Sequence, residues 1–567
     1  MLKVDNFSYA YPKSKQCVLV DISLSLQAGS FNVICGPSGA GKSTLCKAIA
    51  GIVPNYYGGG YTGDILIAGH SNIGAKIADT AVDVGIVLDD YESQLVSLTV
   101  QEELAFSLQN RGVDTEDIES IIPEVLTAVG LEGRESYQLD ELSGGQRQRL
   151  VIASVIATKP KILVLDEPVS ALDPAGAAEL YKIINDLRTH YNMTVVVVEH
   201  TLNYVLPYMQ KLIIMRDAQV CAQGDIQDVM KYMYADQEFR LLLPDLWQTK
   251  LSLEQSLQVE FSNWRTSPQA IDELHNVLGD VKRGNYLEEE YIKPNTDTII
   301  SLRAANFAYR TGEEILKDIN LNIRSGEFVA LLGQNGSGKT TLSRLIMALN
   351  AARSGKVLVD GENVCKMEPA DLADTIGYVF QNPDLQILED TVFDEVAYGA
   401  KIKGYKGAEL EKMVNDALQA TGLLHLAKVY PRILSFGQKR RLGIAAALVR
   451  KPKVLILDEI TSGQDNVEKH LIMSYLKKLN TQEGLTIILI THDMPTVLRY
   501  ASRVITLKQG KLVFDGSVQE FFSGRYPLGE WEIRMPSIAQ LGNYFSLPNT
   551  GVQQFVTGFI ELQGGQN

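Results

Sequence analysis

Residues 34–44 read Ile34-Cys35-Gly36-Pro37-Ser38-Gly39-Ala40-Gly41-Lys42-Ser43-Thr44, and residues 331–341 read Leu331-Leu332-Gly333-Gln334-Asn335-Gly336-Ser337-Gly338-Lys339-Thr340-Thr341. Both match the pattern G-x4-G-K-[ST], each following an apolar run and opening a stretch of helical character, which is the context the pattern requires. Glycines there let the backbone wrap a phosphate chain with its N–H groups pointing inward, and the helix N-terminus adds positive potential. Lys42 and Lys339 are placed to reach β- and γ-phosphates, and the Ser43 and Thr340 hydroxyls to hold Mg²⁺.

Working outward, the second loop lies 297 residues after the first, and three further pairs recur at an offset of 292. They are LSGGQRQRL at Ser143 and LSFGQKRRL at Ser435, LVLDEP at Glu167 and LILDEI at Glu459, VVVEHT at His200 and ILITHD at His492. The difference places an insertion in the first copy between Lys42 and Gly63, where Asn55-Tyr-Tyr-Gly-Gly-Gly-Tyr61 is the extra material. Even the tails keep register, Pro244 aligning with Pro536. The chain is a tandem duplication with domains at 1–258 and 298–567, joined by an acidic, mostly exposed linker at 259–297 that carries Glu288-Glu-Glu290 and a Pro294-Asn295 break. Short apolar strands (Phe31–Ile34, Ile162–Leu165, Val195–Val198) alternate with helical stretches such as Thr44–Ala50, which implies a mainly parallel sheet covered on both faces.

Composition narrows the classes. With 53 Lys plus Arg against 68 Asp plus Glu the formal charge is −15, which disfavours nucleic acid or anionic lipid as the main partner. Five scattered cysteines and no apolar leader fit a reducing cytosol. No apolar run approaches the roughly 20 residues that cross a bilayer, so any work at a membrane goes through a partner.

Asp166 and Asp458 each end an apolar strand and are each followed by Glu, a pairing suited to Mg²⁺ and to polarising an attacking water; Glu167 and Glu459 are the candidate general bases. With Ser143-Gly144-Gly145-Gln146 and Ser435-Phe436-Gly437-Gln438 upstream of those pairs, the chain resembles the ABC ATPases over nearly its whole length. The resemblance implies an α/β fold of two tandem P-loop ABC ATPase domains, each with a mainly parallel sheet core, an antiparallel β edge and a helical subdomain. It implies that the signature of one domain closes over the γ-phosphate held by the loop of the other. His200 and His492 resemble the switch histidine that contacts that phosphate. Asp173 and Asp465 resemble the loop coupling the two sites. Tyr11 and Tyr309 look like the aromatic that stacks on adenine, with Tyr9 an alternative to Tyr11.

Two positions depart from the family pattern. Gln381 stands where the family glutamine touches Mg²⁺ and the attacking water, whereas the first copy has Asp89 there; and Phe436 replaces the glycine that the first copy keeps as Gly144. Because such sites are composite, Asp89 and Phe436 fall in one site, the one built on Lys42. The Lys339 site is therefore expected to be the dependable hydrolytic one and the Lys42 site slower or regulatory.

The stretches Val379-Phe-Gln-Asn-Pro-Asp-Leu-Gln-Ile387, Thr391–Gly399 and Leu98–Phe106 are similar to the tandem-ATPase form of the cobalt-type, energy-coupling-factor importers. That similarity implies ATP and Mg²⁺ as cofactors and a peripheral position on the cytoplasmic membrane face. Its implied partners are an integral membrane scaffold docking near Asp89 and Gln381 and a membrane-embedded substrate-binding subunit for a vitamin, metal ion or other micronutrient. A soluble tandem ABC protein acting on ribosomes is the alternative; it calls for a basic arm between the halves, and 259–297 holds eight acidic residues against four basic ones. A sugar-importer ATPase predicts a degenerate second copy, the reverse of this chain. The tails at Pro244–Leu257 and Pro536–Leu547 either contact each other or pack on their own domains.

Overall fold

The computed structural model describes residues 1–567 apart from Lys15, Ser170, Ala171, Asp173, 279–296, Arg310, Thr311, Glu313, 462–465, 548–550 and 565–567. The chain divides into two compact units, one built on residues 1–270 and the other on nearly all of 271–567.

In the first unit the strands are β1 (Leu2–Ala10), β2 (Leu19–Leu26), β3 (Phe31–Cys35), β4 (Gly60–Ile67), β5 (His70–Ser71), β6 (Val84–Val87), β7 (Ile162–Asp166), β8 (Thr194–Val198), β9 (Lys211–Arg216) and β10 (Gln219–Asp225). They form two sheets. The larger runs β10-β9-β3-β8-β7-β6, parallel from β6 to β9 with β10 antiparallel at its edge. The smaller, β2-β1-β4-β5, is antiparallel throughout. Every residue of β3, β7 and β8 is buried, which is why these strands read as continuous apolar runs rather than as an alternation. The helix Lys42–Ile49 sits between the sheets, with Leu45, Cys46, Ala48 and Ile49 packed among residues of β1, β4 and β7. Parallel register brings the C-terminal ends of β3, β7 and β8 to one edge, where the chain leaves each strand into a chemistry-bearing loop.

The second unit repeats this with β11 (Thr298–Ala308), β12 (Glu314–Arg324), β13 (Phe328–Gly333), β14 (Ser354–Val359), β15 (Glu362–Asn363), β16 (Ile376–Val379), β17 (Val454–Asp458), β18 (Thr486–Ile490), β19 (Arg503–Lys508) and β20 (Lys511–Ser517). Its sheets run β12-β11-β14-β15 and β16-β17-β18-β13-β19-β20, the same order. A helical subdomain accompanies each: Val100–Gln109, Thr115–Ala128 and Gly144–Ala157 in the first, Val392–Ile402, Gly407–Ala420 and Phe436–Leu448 in the second. In the latter, Val392, Val396, Val414, Leu418 and Leu442 share one apolar core.

The linker differs from the expectation of a mostly exposed segment. Phe261 and Trp264 are buried, the indole N–H of Trp247 donates to the Trp264 carbonyl at 2.9 Å, and Arg265 donates to the carbonyls of Leu206 and Met209. Residues Ser267–Leu278 form a helix whose Ala270, Leu274 and Leu278 are buried. Spaced four apart, these three make the apolar stripe of an amphipathic helix, and the acidic balance of the segment masks it. Glu288–Glu290 and Pro294-Asn295 lie outside the described residues. Each tail packs within its own unit: Asp245–Leu257, entered through Pro244, on the helix Ile226–Ala235, and Ser537–Phe545, entered through Pro536, on Val552–Gly564 through Phe545, Phe555 and Phe559.

Candidate functional site

Each phosphate loop joins a buried strand to a helix, and its glycines are needed for shape. Gly36 and Gly41 hold φ of 156° and 95°; a Cβ on Gly36 would run into the Met215 carbonyl and one on Gly41 into that of Val18. Gly333 and Gly338 repeat these conformations at 144° and 106°. The Lys42 ammonium turns back over the loop and donates to the carbonyls of Gly36 and Pro37, both at 2.8 Å; Lys339 does the same to Gly333 and Gln334 at 2.7 and 2.9 Å. Both lysines are therefore buried and aimed into the loops that Pro37 to Ala40 and Gln334 to Ser337 complete.

Asp166, at the end of β7, is fully buried and accepts from the Ser43 hydroxyl at 3.1 Å. Its Oδ2 has no hydrogen-bond partner. Burial pushes this carboxyl up to about 6, the Ser43 hydroxyl opposing and the charges of Glu167 and Asp89 adding to the rise. A desolvated carboxylate with an open oxygen beside a hydroxyl is a donor set suited to a hard divalent cation. Among the described residues no group of three His, Cys, Asp or Glu is placed to hold a metal ion. In the second unit burial likewise raises Asp458, but here the Tyr378 hydroxyl donates to Oδ2 at 2.7 Å and opposes the rise.

Glu167 and Glu459 follow those aspartates with φ of 52° each, a left-handed conformation uncommon for a side-chain-bearing residue and characteristic of functional turns. Each meets the histidine at the end of the neighbouring strand, and the contacts are not alike. Glu167 Oε1 lies 2.6 Å from His200 Nε2, whereas Glu459 Oε2 lies 2.9 Å from His492 Nδ1. The His200 side chain is 14% exposed and its Nδ1 is buried without a partner; that of His492 is 41% exposed. Burial lowers the His492 imidazole, and the hydrogen bond and charge of Glu459 outweigh it, so the net direction is upward.

The signature residues cap helices in both units. Ser143 accepts from the Gln146 backbone N–H at 3.4 Å while Gln146 Oε1 accepts from the Ser143 N–H at 3.0 Å, and Ser435 with Gln438 does the same at 3.2 and 3.0 Å. Gly144 and Gly145, and Phe436 and Gly437, form the first turns, leaving backbone N–H groups at the helix start. The Phe436 ring is 45% exposed and the Arg440 guanidinium lies 4.5 Å from its centre. Asp89 and Gln381 stand exposed just past β6 and β16. Asp173 and Asp465 lie outside the described residues.

Of the competing tyrosines, Tyr9 is fully buried, while Tyr11 is half-buried with its hydroxyl 3.4 Å from Thr44 Oγ1. Tyr309 is 42% exposed, and the polar groups of Thr341 and Arg344 beside it lower its hydroxyl from the ordinary tyrosine value. Within each unit the structure thus gathers phosphate loop, Asp-Glu pair, histidine and one accessible tyrosine. The sequence reading missed Tyr378, for which comparison of the copies gave the signal: Ile86 occupies its place in the first. It also missed Glu199, fully buried, bonded to the Tyr181 hydroxyl, and pushed by that burial up to about 8; the second copy has Thr491 there.

The sequence profile of the ABC transporter family matches residues 19–170 and 316–462. A protein of Caldanaerobacter subterraneus subsp. tengcongensis, named as an ABC transporter ATP-binding protein, is 36% identical over 98% of this chain and 98% of its own. One of the same description from Methanosarcina acetivorans is 35% identical over 95% of this chain and 89% of its own. A solved structure of cbiO1 from Clostridium perfringens, part of the ABC transporter complex cbiONQ, is 37% identical over 43% of this chain and 98% of its own, with a TM-score of 0.39.

Proposed function

This chain belongs to the ABC transporter family and is an ATP-binding ATPase, and from that premise we propose that it is the energy-coupling subunit of an importer of the energy-coupling-factor type for a micronutrient. The observation that carries the reading is the presence, in one chain, of two complete sets of phosphate loop, Asp-Glu pair and histidine, while among the described residues no helix is long and apolar enough to cross a membrane. Work done by these sites has to be passed to a membrane partner. Gln381 supports a point of attachment. Next to it Leu385 and Leu388 are 72% and 70% exposed and line, with Phe380, Pro383, Ile387 and Lys439, a groove of about 260 Å³ that an apolar helix of the scaffold would fill.

In the mechanism, the loops at Lys42 and Lys339 cradle the β- and γ-phosphates, and Tyr11 and Tyr309 face the adenine. Ser43 with Asp166, and Thr340 with Gln381 and Asp458, would hold Mg²⁺, Asp89 taking the glutamine's role in the first copy. Those residues would hold the ion, and when bound it would neutralise negative charge on the phosphates. Glu459 orients and deprotonates the attacking water, and His492 positions Glu459 and donates to the γ-phosphate. In this proposal the helix N-termini at signature residues 143–146 and 435–438 would serve the phosphate held by the other domain. Closure on ATP and reopening after hydrolysis drive the scaffold.

The two sites differ in this reading. Asp89 and Phe436 both belong to the Lys42 site, and His200 has its Nε2 committed to Glu167 in a buried setting, whereas His492 bonds through Nδ1 and is far more exposed. We assign turnover mainly to the Lys339 site.

Copurification of the full-length chain in mild detergent tests the assignment. Recovery of an integral membrane scaffold and a small membrane-embedded binding subunit is the expected result; recovery with ribosomes and no membrane partner would overturn it.

A further inference from the structure

The insertion that distinguishes the first copy forms an ordered turn beside the first phosphate loop. Gly58 N–H donates to the Pro54 carbonyl at 2.7 Å, Tyr56 N–H to that of Ile52 at 3.0 Å, and Asn55 ties the turn to Asn72 and Gly74 at 2.7 and 2.8 Å. The buried Tyr9 hydroxyl donates to the Gly58 carbonyl at 2.7 Å. So pinned, the turn holds Tyr56 and Tyr57 72% and 51% exposed. The Tyr57 ring lies 6.3 Å from that of Tyr11 at 78°, and Tyr11 in turn reaches Thr44 at the start of the phosphate-loop helix. Two rings near right angles make a corner. A flat heteroaromatic base fits it with its face on one ring and its edge on the other, the geometry that the aromatic quadrupole favours.

The second unit lacks this corner. Phe307 stands where Tyr9 does and Tyr309 where Tyr11 does, 4.9 Å apart, but the connection Met347–Val359 contains no aromatic residue. We propose that Tyr57, with Tyr11, forms a two-walled aromatic seat for the purine base of the nucleotide at the Lys42 site, making it the more nucleotide-retentive of the two. This rests on the ATPase reading and deepens it: a site that holds its nucleotide longer is suited to a slow, regulatory role.

The test uses the full chain with Lys339→Ala, so that ATP binding reports the first site. Adding Tyr57→Ala is expected to weaken ATP binding by about fivefold to a hundredfold, the range for loss of one stacked ring, and Tyr57→Phe to restore it. Competition by inorganic tripolyphosphate, which has no base, is expected to stay unchanged in all three. In the Lys42→Ala chain, Tyr57→Ala is expected to leave ATP binding at the second site as it was. Equal ATP affinity with and without Tyr57, or an equal loss of tripolyphosphate binding, would overturn the proposal. No ATP binding by the Lys339→Ala parent, with binding kept in the unmodified chain, would overturn the proposal alone; no ATP binding by the unmodified chain would overturn the ATPase reading with it.

Discussion

The Tyr378 hydroxyl donates a 2.7 Å hydrogen bond to Asp458 Oδ2, and in the first unit, where Ile86 takes its place, the corresponding oxygen of Asp166 is buried without a partner. Two otherwise matching sites thus hold their aspartates differently. Removing the donor with Tyr378→Phe leaves a buried carboxylate short of one hydrogen bond, worth about 1.5–3 kcal/mol when the acceptor is charged. The variant is expected to melt earlier. Asp458, already raised, should rise further, so the acid limb of the ATPase pH profile should move to higher pH. Calorimetry and a pH–rate series check both; an unmoved acid limb would contradict the role of Tyr378.

Glu459→Gln is expected to lower ATP turnover by roughly a hundredfold or more, the scale of a lost general base, and Glu167→Gln by only a few-fold. Steady-state ATPase assays of both variants in the complex with its membrane partners decide the point. Equal losses would remove the functional asymmetry.

Lys250 is fully buried, its ammonium 2.5 Å from Glu254 and 4.8 Å from the centre of the Trp247 ring. Glu254 Oε1 also accepts from the Phe261 N–H at 2.9 Å, tying the first tail to the segment after it. Glu254→Gln leaves a buried cation uncompensated and is expected to cost about 3–5 kcal/mol, whereas Lys250→Met with Glu254→Leu should cost far less. Denaturant unfolding of the two variants gives the comparison.

Glu199 supplies a pH signature. Its carboxyl stands at about 8 in the folded chain because burial disfavours the charge, the Tyr181 hydroxyl opposing and Glu167 adding to the rise, against an ordinary 4.5. The folded state therefore keeps a proton that the unfolded chain releases, and stability falls as pH climbs from about 4.5 through about 8. Glu199→Gln should flatten that fall, leaving stability unchanged near pH 4.5 and raising it at pH 9 by as much as a few kcal/mol. Melting curves at the two pH values measure it; equal curves at pH 9 would refute the assignment.

Much was legible in the sequence because the chain states it twice. Short-range patterns with fixed spacing, the G-x4-G-K-[ST] loops, the Asp-Glu pairs after apolar runs and the signature helix caps, are read locally, and the repeat offset supplied the two-domain plan. The parallel sheet followed from strands such as Val195–Val198 being apolar on both faces. Tertiary structure decided what depends on neighbours distant in sequence. Trp264 meets Trp247 and anchors a segment that its acidic residues made look exposed. Tyr9 is buried and holds Gly58, whereas Tyr11 stays half-buried with the Tyr57 ring beside it. His200 and His492, identical by motif, differ in which nitrogen meets glutamate and in how far solvent reaches them. A motif fixes which groups are present and in what order. Their burial, partners and protonation are set by the three-dimensional surroundings, because desolvation and hydrogen bonding act through space rather than along the chain.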